Sequence, residues 1–193
     1  MNVHRIAFGL LWGAVLLAVS PVPPGAQAAT TAPPPASPDS AGRAPAKPCS
    51  APEYRQFDFW IGDWQVTTPD GRVAGTNTIE PLLGGCALQE HWRGGAGGAG
   101  TSLSFYDAAS GQWHQTWVSA QGGLLQLDGG IEDGKMVLTG ERPSLQDQGT
   151  AVLHRISWEQ RDADHVHQLW EASSDGGKTW TVVFDGTYTR VKA

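Results

Sequence analysis

The feature that most restricts how this chain can fold is a two-residue rhythm. From about residue 63 to the C-terminus, apolar and polar side chains alternate in short runs, and each run ends in residues that turn the chain. A period of two marks a strand with one buried face. The runs fall at 63–68, 72–80, 85–93, 101–107, 112–119, 123–129, 135–141, 150–160, 164–173 and 179–190. Pro69-Asp70-Gly71, Gly122-Gly123, Asp133-Gly134 and Asp175-Gly176-Gly177 punctuate them. These residues accept positive φ or bond their own backbone. About ten short strands joined in order by hairpins make a meander, and a meander this long must close to remove its edges. The expected fold is all-β, a single antiparallel up-and-down barrel.

The segments before the rhythm have other compositions. Ile6 to Ser20 is an apolar run behind Arg5, and Ala26-Gln27-Ala28 is a small-x-small site, so residues 1–28 read as a secretory signal peptide. The run is shorter than the roughly 20 residues of a membrane-spanning helix, and no later stretch qualifies. Residues 29–52 read as an Ala/Pro-rich linker, which buries nothing. The folded domain is expected over 53–193, enough for one core. The formal net charge is −6, with no lysine or arginine cluster, which argues against nucleic acid or an anionic membrane surface as partner. Localisation is expected to be periplasmic or secreted. In such a compartment the two cysteines, Cys49 and Cys86, read as a disulfide.

Parity within each run assigns the inward face. Trp92, Trp113 and Trp117 fall on it, as do Trp158 and Trp170. So do four polar side chains, Glu90, Gln115, His154 and Gln168. Trp180, Val182, Phe184, Tyr188 and Arg190 share one face if no bulge intervenes, and a bulge near Gly129-Gly130 or Asp185-Gly186 would reverse the assignment beyond it. A buried polar group without a partner costs roughly 1–3 kcal/mol, so each of the four needs a neighbour, a water or a ligand. The tryptophans and these four are the candidate ligand-binding residues.

Gly62-Asp63-Trp64 at the entry to the first strand, with Arg190 near the end of the last, resembles the signature of lipocalin-like barrels, the calycins. That resemblance implies Trp64 at the closed end of the barrel under Arg190, both in structural roles. The FDFWIGDW start, the GCALQEHW segment, the YDAASGQWHQTWV hairpin and the SSDGGKTW…FDGTY end together resemble a family of uncharacterised secreted bacterial proteins. The resemblance implies a lipocalin-like barrel and export, and carries no catalytic residues. Phe57, Phe59, Trp60 and Trp64 then read as the barrel's plug and lid.

Other motifs have local explanations. Ser173 to Trp180 fits S-x-D-x-G-x-T-W and resembles the Asp-box of sialidase propellers, but a single copy in a short domain reads as a stable hairpin. His165-x-His167 with Glu171 falls on the outer face without an evident third ligand, so no metal is expected. His154 is the inward candidate for haem, which nothing else supports, and no cofactor is expected. The reading is an exported protein that binds a small apolar or aromatic molecule in a Trp-lined interior, without assigned catalytic residues. The alternatives are a hydrolase or isomerase using Glu90 and His154, and a non-catalytic structural or interaction module.

Overall fold

Ten strands form, one for each run of alternating residues. The computed structural model describes residues 47–143 and 151–192; the expected signal segment and the linker up to residue 46 lie outside the described residues. The strands are β1 (Gly62–Thr67), β2 (Val73–Leu82), β3 (Ala87–Gly94), β4 (Ala99–Asp107) and β5 (Gln112–Ser119) in the first half. The second half comprises β6 (Leu124–Glu132), β7 (Lys135–Pro143), β8 (Ala151–Gln160), β9 (His165–Ser173) and β10 (Thr181–Arg190). Each pairs antiparallel with its sequence neighbours, and β1 pairs with β10, so the sheet closes into an up-and-down barrel. Among the described residues no edge strand remains.

The register realises most of the expected faces. Leu88 and Glu90, Trp113 and Gln115, Ile156 and Trp158, and Val166 and Gln168 are all buried. The last strand differs. The ladder runs unbroken through Gly129-Gly130 and Asp185-Gly186, and shifts instead between Val182 and Phe184. Residues before the shift therefore change face. Phe184 points inward, whereas Val182 is exposed and Trp180 lies outside, with the Arg155 guanidinium 4.2 Å from its ring centre.

One end of the barrel is stoppered by the chain that precedes β1. Two short 3-10 turns, Pro52–Arg55 and Asp58–Trp60, carry Phe57 and Trp60 into the interior, where both are wholly buried. Sequence periodicity gives no sign of these turns, because three or four residues are too few to show a helical pattern. Phe57 stacks on Trp60 at 4.9 Å and meets the edges of Trp158 and Trp113 at 5.2 and 5.7 Å. Such pairs contribute about 0.5–1.5 kcal/mol each beyond their buried area. Trp64 donates its indole N–H to the Trp60 carbonyl at 2.8 Å. Phe59, at the rim of this cluster, is only partly buried.

The stopper is fastened on its outer side. Cys49 and Cys86 form the disulfide, tying the segment before the turns to the connection between β2 and β3. The Arg55 guanidinium donates to the Gly85 carbonyl of the same connection. Opposite the stoppered end, the hairpin between β9 and β10 is organised by Asp175. Its carboxylate accepts from the backbone N–H groups of Lys178 and Thr179 and from the Thr179 hydroxyl. These bonds hold its pKa down at about 2, with the Thr179 hydroxyl the largest contributor. The Asp-box-like sequence is thus a turn device.

Candidate functional site

Above the stopper the interior is not filled. A cavity of about 200 Å³ lies between Trp158 and Tyr188, which face the plug, and the barrel's far end. Strand alternation places its lining. Trp92 on β3, Trp117 on β5, Trp170 on β9 and Phe184 on β10 form aromatic walls toward the far end, each only partly buried. Trp117 lies over Gly100 of β4, diagonal to its ladder partner Ser102, where no side chain stands in its way. A Cβ on Gly100 would lie 2.8 Å from the indole. Leu125, Ile156 and Val183 add to the apolar surface.

Glu90, Gln115 and Gln168 supply the polar part of the lining. Glu90 Oε1 accepts from Asn77 Nδ2 and Oε2 from the Ser102 hydroxyl, each at 2.7 Å. The Tyr188 hydroxyl accepts from Asn77 Nδ2 at 3.3 Å and donates to Gln168 Oε1 at 2.5 Å. Gln115 Nε2 donates to the Ser104 hydroxyl at 3.0 Å. A chain of hydrogen bonds therefore runs from β9 through β10 and β2 to β3 and β4. Burial raises the Glu90 pKa above its ordinary value of 4.5, against the two hydrogen bonds that oppose the rise. Burial, then the neighbouring Glu90 charge, pushes the Tyr188 hydroxyl well above its ordinary value.

Two expected ligand-binding residues lie elsewhere. Trp113 belongs to the stopper, where its indole N–H donates to Gln56 at 3.1 Å. Inward parity placed it correctly but says nothing of its height along the barrel axis. His154 is buried beside the cavity without lining it. Its Nδ1 accepts the Trp170 indole N–H at 3.0 Å, so it holds one aromatic wall in place. Burial, then Arg142, lowers its pKa and favours the neutral ring. Glu90 on β3 and His154 on β8 stand five strands apart in either direction round the barrel, with separate hydrogen-bond partners. The geometry gives them no shared proton.

Asn77, Ser102 and Tyr188 complete the polar network without being among the expected ligand-binding residues. All three have inward parity, but only the register shows that Asn77 and Ser102 flank Glu90 from either side. On the outer face, His165 is bonded to Asp162 at 2.9 Å, His167 to Asp185 at 2.8 Å, and Glu171 to Arg155 at 2.8 Å. Among the described residues, no three His, Cys, Asp or Glu side chains gather as a metal site.

A family model described as a protein of unknown function, DUF1579, matches residues 54–190, from the first 3-10 turn to the last residue of β10. The chain belongs to the DUF1579 family. The match takes in the stopper and every strand, so in this DUF1579 protein the plug and the barrel are one family unit. Comparison with curated proteins finds no match. Among the described residues of the DUF1579 chain, no helix is long and apolar enough to cross a membrane.

Proposed function

We propose that the protein binds a small apolar or aromatic molecule inside the barrel, in a compartment outside the cytoplasm. The observation that carries this reading is the cavity of about 200 Å³ between the stopper and the far end, walled by indoles and carrying a few convergent polar groups. A well-packed interior has few voids larger than a water molecule. A void larger than the roughly 150 Å³ that admits benzene, yet below the roughly 300–1,000 Å³ of drug-sized sites, suits a ligand with a single ring. The aromatic walls supply most of the contact area, and the Glu90, Gln115 and Gln168 side chains orient one polar end. Trp92, Trp117, Trp158 and Trp170 are the contact residues of this reading. His154 supports Trp170, while Trp64 and Arg190 hold the closed end.

The disulfide fits an oxidising compartment, and an N-terminal segment with the layout of a signal peptide supports export. The acid–base alternative has no geometric support, since Glu90 and His154 face each other across the barrel.

The test combines native mass spectrometry of protein purified from its own host with a titration of single-ring ligands followed by tryptophan fluorescence. A bound small molecule, or saturable quenching, is the expected result. An empty barrel that also leaves tryptophan emission unchanged across the panel overturns the reading.

A further inference from the structure

The charge that the cavity's described lining can carry near neutral pH is of one sign. Among the described residues, Glu90 is the only carboxyl that lines the cavity, and no lysine, arginine or histidine lines it. Glu90 as a whole residue is 7% exposed. Both of its carboxyl oxygens take neutral donors, Asn77 and Ser102. The imidazole nearest in sequence, His91, lies one residue along the strand on the outer face, 3.7 Å from Glu80. A carboxylate has room for about four hydrogen bonds, and this one has two partners among the described residues. Charges this deep are ordinarily matched by an opposite charge, because the interior replaces their hydration poorly.

The walls have the complementary property. Trp92, Trp117, Trp170 and Phe184 bound the same space. The faces of aromatic rings are negative and attract cations, indole most strongly. Gln115 and Gln168 add amide oxygens or N–H groups but no positive charge. With Glu90 ionised, an anionic ligand would meet a like charge, and a neutral one would leave the carboxylate unmatched.

We propose that the ligand is a small organic amine, its ammonium group seated against Glu90 and its apolar body between the tryptophans. This rests on the cavity being a ligand site. The raised Glu90 pKa supports the assignment in one respect. An ammonium beside Glu90 would offset the burial that raises its pKa. Where the carboxyl is protonated, the ammonium ion binds as the Glu90 proton leaves to solvent, one proton released for each carboxylate–ammonium pair formed.

Three probes of one size separate the possibilities: 2-phenylethylamine, the neutral n-propylbenzene and the anionic phenylacetate. Binding of each to the full mature protein is measured by calorimetry and tryptophan fluorescence. The amine is expected to bind about tenfold or more tighter than propylbenzene, the difference a charge-assisted contact supplies, and phenylacetate weakest. In Glu90→Gln the advantage of the amine over propylbenzene is expected to fall to within about threefold. If propylbenzene or phenylacetate binds as tightly as the amine, the amine assignment is overturned while the cavity reading stands. If the advantage persists in Glu90→Gln, Glu90 is not its source and the assignment is overturned. If none of the three binds and the natively purified barrel is empty, both readings fall. The comparison on unaltered protein decides between amine and isostere even where the variant does not fold.

Discussion

The Arg190 guanidinium lies 4.1 Å from the centre of the Trp64 ring, and Gly62 is what lets it reach there. A Cβ on Gly62 would sit 2.2 Å from the Arg190 terminal nitrogen, and the glycine has φ of +137°. The first and third residues of the G-x-W motif thus serve one contact: the indole receives the cation and the glycine leaves it room. Arg190 also donates to the carbonyls of Ile61 and Ala163, at 2.8 and 3.1 Å.

Arg190→Ala is expected to destabilise the barrel by about 1–3 kcal/mol, from the lost cation–π contact and two carbonyls left to water. Gly62→Ala is expected to cost about 2–4 kcal/mol, because it meets both a steric block and a backbone conformation reserved for glycine. The double variant should cost less than the sum, since removing the guanidinium removes the block. Urea denaturation of the three variants checks this, and strict additivity would contradict the shared contact.

Removal of the Cys49–Cys86 link is expected to cost about 2–4 kcal/mol for a loop of this length in the chain-entropy account. Its sequence separation is 37 residues. The loss should be read first at the stopper. Hydrogen exchange under reducing conditions is expected to accelerate over residues 52–60 while β5 to β8 keep their protection. Uniform acceleration would show that the stopper and the barrel open as one unit.

Glu90→Gln gives a pH-dependent result whose sign follows from the raised pKa. The folded state holds the Glu90 proton more tightly than the unfolded chain. Stability contributed by this group is therefore full below about 4.5 and declines as pH rises toward the folded pKa. The groups facing Glu90 are Asn77 from β2, Ser102 from β4 and, through Asn77, Tyr188 from β10, with His91 next along its own strand. Gln carries no charge and keeps both a donor and an acceptor. Its stability relative to the unaltered protein should therefore increase from pH 4 to pH 8. Denaturation midpoints at the two pH values measure it, and a constant difference would mean that Glu90 is hydrated in the folded barrel.

Gly100→Val is expected to displace Trp117 from the barrel wall into the cavity, since an added Cβ falls 2.8 Å from the indole. The variant should fold with a modest loss of about 1–2 kcal/mol and bind single-ring probes at least about tenfold more weakly. Unchanged probe binding would place the ligand away from Trp117.

Strand alternation made the ten strands and most of the lining legible, because period-two burial needs only local information. Trp92, Gln115 and Gln168 could be placed on the inner face from their own strands alone. Height along the axis and pairing across strands are not local. That is why Trp113 reads like Trp117 in sequence yet belongs to the stopper, and why the support of Glu90 by Asn77 and Ser102 appears only once the register is known. The shift between Val182 and Phe184 carries no glycine to announce it, so Trp180 read as inward when it lies under Arg155 outside.

The seam between β1 and β10 has a kinetic meaning. It joins the two ends of the domain, as in the bond between Arg190 and Ile61, which are 129 residues apart. Synthesised N-terminus first, the domain holds Phe57, Trp60 and Trp64 early but lacks the strand that closes the barrel around them until β10 has been made. Closure over such a span is slow, and the waiting aromatic residues are prone to self-association. In such a design the last strand to be made is also the one that closes the sheet.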